Sequence, residues 1–128
     1  MYIMGKEEKD AVERVIDSKE LFKVNGGNLQ ETANFEKEMR DYFKVDRALL
    51  MTSGTAALTS ALIGMGVGPG DEVIIPAYTY IATAMSVVAT GAMPIICEVD
   101  ETLMMDPVDA EAKITDRTKV LLPVHMQG

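Results

Sequence analysis

Cysteine occurs once in these 128 residues, at Cys97, so no intrachain disulfide framework exists and a reducing cytoplasm is the expected compartment. Mid-strand in a run of apolar residues, that thiol is expected to be buried and inert. Tryptophan is absent and aromatics make up 5% of the chain, against ten methionines, so Met is expected to fill a core with few rings. No apolar run reaches the roughly 18–20 residues that cross a bilayer. The opening residues MYIMGKEE carry charge too early for a secretory signal, so no membrane partner is expected. Positive charge is also scarce: net charge is −8, the acid excess lies mostly after residue 70, and no Lys or Arg occurs between Ala48 and Ala112. Such a surface repels nucleic acid. His125 is the only histidine, and with no acid or cysteine beside it in sequence it forms neither a triad nor a metal site; a packed, hydrogen-bonded strand end is its expected place. The acidic residues Glu98, Asp100, Glu101, Asp106, Asp109 and Glu111 lack the spacing and central glycine of a calcium loop and read as a solvated face, so no metal is expected.

Against these absences stands one informative stretch, Leu49-Leu50-Met51-Thr52-Ser53-Gly54-Thr55-Ala56. A short apolar run breaks at Ser53-Gly54 and passes into the helix-forming run Ala56–Leu62, which reads as a strand-to-helix turn. Gly54 has no Cβ and lets a ligand or backbone come close, while Ser53 or Thr55 can cap the helix. Free amides at a helix start attract anions, and a phosphate is the natural guest. With no cation nearby in sequence, backbone amides and hydroxyls have to hold it.

The rest of the chain divides by texture. Lys6–Phe22 sets Val12, Val15 and Ile16 at helical spacing, and about Leu29–Phe43 does the same with Phe35, Met39, Tyr42 and Phe43; Gly26-Gly27-Asn28 breaks the pattern between them. Both stripes read as core or subunit contact. The sequence then alternates: strand Ala48–Thr52, helix Thr55–Met65, strand Glu72–Pro76, helix Ile81–Thr90, strand Met93–Val99, helix Pro107–Ile114, strand Lys119–Val124. Four apolar strands separated by helices predict parallel pairing with right-handed crossovers. The alternation stops at Pro123–Gly128, just past a strand with no helix to cover it, so the chain reads as part of an α/β domain truncated within its sheet. Residues 1–47 are expected to form an N-terminal helical segment and 48–128 an incomplete α/β domain. Ligands of open α/β sheets sit beyond the carboxyl ends of the strands, where Ser53–Ala56, Ala77–Tyr80 and His125–Gly128 converge.

The blocks SGTAAL, GVGPGDEVIIPAYTYIATA, GAMPIICEVD and ITDRTKVLLPVHMQG, in that order, resemble the N-terminal third of the DegT/StrS sugar aminotransferases from about Leu21 to Gly128. The resemblance implies the aspartate-aminotransferase fold, with residues 48–128 belonging to its cofactor-binding large domain, and pyridoxal phosphate as cofactor. It also implies a homodimer and amino transfer from glutamate or glutamine to a keto-sugar, often nucleotide-linked. By the same resemblance Gly54, Thr55 and Ala56 take the cofactor phosphate through their amides, with the Thr55 hydroxyl, and Tyr80 stacks on the pyridine ring; Tyr78, outside that register, reads as an ordinary tyrosine. The family's Schiff-base lysine and the carboxylate that pairs with the pyridine nitrogen match nothing in residues 1–128, so no catalytic residue is assigned. Lys113 closes a short helix and Lys119 lies at the amino edge of its strand. Two alternatives stay open: a sugar dehydratase of the same family, in which histidine replaces the lysine, and a non-catalytic fragment or binding module.

Overall fold

A computed structural model of the chain describes residues 4–23 and 30–126. The Gly26-Gly27-Asn28 break, Leu29 and the final Gln127-Gly128 lie outside the described residues. The chain divides into two compact units, Met1–Leu50 and Met51–Gly128.

The first unit holds α1 (Lys6–Ser18) and α2 (Glu31–Phe43). Both follow the apolar spacing read from sequence, yet neither buries a residue: Val12, Ile16, Tyr42 and Phe43 stay exposed. Polar contacts link its segments. Arg14 reaches Glu31 at 3.7 Å. The Glu36 carboxylate accepts from the Lys23 ammonium and, at 2.8 Å, from the Leu50 amide.

That last bond bears on the expected strand at Ala48–Thr52, which does not form. The Leu50 amide donates to a side chain, Leu49 is exposed, and no described strand pairs with this run. Leu-Leu-Met lacks the β-branched residues that favour a pleated surface, whereas the Val-Ile-Ile of the next apolar run has them.

The second unit is α/β: α3 (Gly54–Gly64), β1 (Glu72–Pro76), α4 (Ile81–Val88), β2 (Met93–Cys97), α5 (Pro107–Ala112) and β3 (Thr118–Leu121). Three strands, not four, form the sheet among the described residues. Their order is β2-β1-β3 and both pairings are parallel, with Ile74 beside Ile95 on one side and Leu121 on the other. Every residue of β1 is buried, as a central parallel strand covered on both faces requires. Val73 and Ile75 point to one layer with Leu62, Val67, Val87 and Ala92; Ile74 points to the other with Cys97 and Ala110. Helices α3 and α4 therefore cover one face and α5 the other.

Turn chemistry sets the helix ends. Ser53 caps α3, and Asp106 caps α5 by accepting from the Val108 amide at 2.8 Å, with Pro107 as first helical residue. Gly66 (φ 77°) reverses the chain after α3 in a conformation that side chains disfavour. Gly91 (φ 84°) does so after α4, and a Cβ there would stand 2.9 Å from the Pro69 ring, so these two loops interlock only with glycine. At the amino edge of the sheet the Glu72 carboxylate accepts from Thr115 Oγ1 at 2.6 Å and Arg117 Nε at 2.9 Å. Beside it Asp71 accepts from the Gly68 amide at 2.9 Å and from Lys119 Nζ at 3.3 Å.

Two predictions follow from this packing. Leu62 is 1% exposed and its neighbour Ile63 is 58% exposed. Leu62→Ala is expected to destabilise the unit by about 2–5 kcal/mol in urea unfolding, and Ile63→Ala by under about 0.5 kcal/mol; equal losses would show that the core is misassigned. The second concerns acid. Hydrogen bonding from Thr115, then Arg117, holds Glu72 below the usual carboxylate range; the Gly68 amide, then Lys119, does so for Asp71; Lys23, then the Leu50 amide, does so for Glu36. A carboxyl group lowered in the folded state adds stability above its unfolded pKa, about 3.9–4.3, and loses it as pH falls through the folded value. The thermal midpoint is therefore expected to be flat above about pH 5 and to drop below about pH 4, less steeply in Glu72→Gln; a midpoint that rises on acidification would contradict the assignment.

Candidate functional site

Ser53 has extended backbone and its Oγ accepts from the Ala56 amide at 3.1 Å, while its carbonyl accepts from the Ala57 amide at 3.0 Å. A capping serine thus satisfies one of the donors a helix start leaves open. Of the three amides assigned to an anion from sequence, those of Gly54 and Thr55 donate to no acceptor among the described residues, whereas that of Ala56 is engaged. A Cβ built on Gly54 would meet nothing within 4 Å, so the space in front of it is open.

The second segment starts at the carboxyl end of β1. The Ala77 amide donates to the Cys97 carbonyl at 2.7 Å, which pins the turn to β2, and Tyr80 then caps α4 by backbone alone. Tyr80 is 74% exposed, against 43% for Tyr78.

Gly54, Thr55 and Tyr80 line one open groove of about 730 Å³ between α3 and α4. Its remaining walls are Ala57, Leu58, Ala61, Ala82 and Thr83. Neither Ala56 nor Tyr78 is among these residues. Sequence reasoning passed over the wall, although Gly54, Ala57, Leu58 and Ala61 follow the 3–4 spacing of one helix face. No lining side chain is charged: Ala57, Leu58, Ala61 and Ala82 are apolar, and Thr55, Tyr80 and Thr83 bring hydroxyls.

The other candidates stand apart from the groove. His125 is exposed rather than packed, with Nδ1 at 3.3 Å from Met104 Sδ, three residues beyond Leu122, whose amide still donates to the Ile74 carbonyl. Cys97 is fully buried, its thiol donating to the Glu98 and Asp106 carbonyls at 3.3 and 3.4 Å. Burial, then the neighbouring Asp109, pushes that thiol up and away from the reactive thiolate. Among the acids, Asp106 caps α5 and Asp109 accepts from the Glu98 amide at 2.7 Å. Lys113 pairs with Asp109 at 2.5 Å, and Lys119 donates to the Gly66 carbonyl at 2.7 Å at the amino edge. Neither lysine lines the groove.

Comparison with known proteins gives this geometry a context. The chain is 50% identical over 95 residues to a GDP-perosamine synthase of Caulobacter vibrioides, covering 73% of this chain and 26% of that protein. It is 45% identical over 119 residues to a dTDP-3-amino-3,4,6-trideoxy-alpha-D-glucose transaminase of Streptomyces venezuelae, covering 92% of this chain and 30% of that one. A solved structure of NtdA from Bacillus subtilis with bound cofactor PMP superposes with a TM-score of 0.83 at 34% identity, covering 97% of this chain and 28% of that one. The chain thus spans between a quarter and a third of the length of the relatives it matches. The DegT/DnrJ/EryC1/StrS aminotransferase family profile matches residues 2–128, essentially the whole chain, and the chain belongs to that family.

Proposed function

We propose that this chain supplies the phosphate-binding helix start and the ring-stacking face of a pyridoxal-phosphate-dependent aminotransferase acting on a keto-sugar, often nucleotide-linked, with glutamate or glutamine as amino donor. The observation that carries the reading is the groove itself, in which an open helix N-terminus and an unpacked tyrosine ring face the same space. The family, a relative named for a dTDP-linked amino sugar and a neighbour holding PMP support it. The coverage of each relative fits an N-terminal piece of such an enzyme.

The residues present fit the cofactor. The amides of Gly54 and Thr55 and the Thr55 hydroxyl would hold its phosphate, with Ser53 keeping the Ala56 amide satisfied; Gly54, lacking a side chain, leaves room for the approach. Tyr80 would cover one face of the ring. When bound, the cofactor supplies the electron sink for moving an amino group. The chain's own work is to orient that group and to keep water from one face of it, through Tyr80 and the apolar wall of Ala57, Leu58 and Ala61. No lysine lines the groove, so the proton-carrying amine has to come from elsewhere in the assembled enzyme. A homodimer and a cytoplasmic setting complete the proposal; among the described residues no helix is long and apolar enough to cross a membrane.

Titration of the intact enzyme with pyridoxal phosphate tests the site. Tyr80→Ala is expected to weaken binding roughly threefold to tenfold, the range of a lost aromatic stack, and Tyr78→Ala by less than about twofold. Equal or reversed losses would show that the stacking face is wrongly placed. Residues 1–128 by themselves are expected to give no amino transfer to a keto-sugar and, after borohydride reduction with pyridoxal phosphate, no stoichiometric label on one lysine in a peptide map. Such a label together with turnover would mean that the chain carries its own catalytic amine.

A further inference from the structure

Thr83 is 5% exposed in a helix, Ile81–Val88, otherwise built of small and apolar residues with one buried serine. Alanine would be the better helix former there, and a buried hydroxyl is unfavourable without a partner. Its partner is Thr79 Oγ1, 2.7 Å away and outside the helix. Between the two threonines lies Tyr80, whose carbonyl accepts from the Thr83 amide at 3.0 Å and whose side chain makes no capping bond. Tyr80 is thus fastened by backbone from one side and by its neighbour's hydroxyl from the other. Its ring has no aromatic partner; the ring pair in the described residues is Tyr42 with Phe43. Packing does not aim an exposed ring of this kind, so the turn that carries it has to.

We infer that the Thr79–Thr83 hydroxyl pair is a positioning device that fixes the Tyr80 turn, and with it the direction of the Tyr80 ring over the groove. The inference rests on the reading of Tyr80 as the ring-stacking residue. Thr83 does not act on the substrate; it acts through Tyr80. Replacing its hydroxyl by a methyl of equal volume keeps the helix packed and releases Thr79, whereas serine keeps the bond.

The test uses the full-length protein with Thr83→Val, Thr83→Ser and Thr79→Val, each alone and combined with Tyr80→Ala. Thermal midpoints, pyridoxal phosphate titration and the NMR signals of the Tyr80 ring in cofactor-free protein are measured. Thr83→Val and Thr79→Val are each expected to weaken binding about threefold to tenfold, the range of one net hydrogen bond, and to shift the Tyr80 ring signals. Thr83→Ser is expected to restore both, and neither valine variant to add any loss when Tyr80 is already alanine. An equal loss in the Tyr80→Ala background, or unmoved ring signals in both valine variants, overturns the inference. Should Thr83→Val prove unfolded by its thermal midpoint, Thr79→Val, at a half-buried turn position, decides alone. If Tyr80→Ala leaves binding unchanged, the stacking reading fails, and the ring signals of the cofactor-free variants still decide whether the pair sets the turn.

Discussion

Burying β1 on both faces obliges its amides and carbonyls to find partners inside the sheet, since an unpaired buried backbone group costs on the order of 1–3 kcal/mol. The parallel ladders to β2 and β3 meet that requirement, and the side chains of Val73, Ile74 and Ile75 then dictate where the helices go. Because residues 73 and 75 face the α3 and α4 layer, those two helices lie side by side on one surface of the sheet. The groove exists only because both are held there. Its walls come from α3 and α4, and Gly54, Thr55 and Tyr80 stand where each helix begins.

Much of this order was readable from residue type. Val-Ile-Ile between Asp71 and Pro76, and Pro107 after Asp106, announce a strand and a capped helix by themselves, and both stand within two residues of their expected limits. The run Leu49–Met51 read the same way and is no strand, since pairing is a property of two segments and hydropathy describes only one. Sharing of donors was equally hidden. A serine before a helix can either cap it or leave its amides for a ligand, and only coordinates show that Ser53 takes Ala56 while Gly54 and Thr55 stay open. The threonines at 79 and 83 have the spacing of one helical turn, but one of them lies outside the helix, so periodicity alone passes over them.

The two helices of the first unit show the reverse case. Their apolar spacing was legible and real, yet no residue of either helix is fully buried, Val15 and Met39 being half-buried, and polar contacts gather at Glu36. Amphipathic pattern reports a capacity for burial, and what meets the stripe is a separate fact.

On the proposed reading, in which the groove takes a phosphate, the absence of any Lys or Arg from Ala48 to Ala112 shapes how that anion is held. A cluster of cations draws anions from a Debye length away, about 8–10 Å in physiological salt, and speeds their encounter. Amide dipoles at a helix start fade within about one turn, and residues 48–112 place no cation beside them in sequence. On the proposed reading, these residues act at short range: an anion is felt at the α3 start only within about one turn of it.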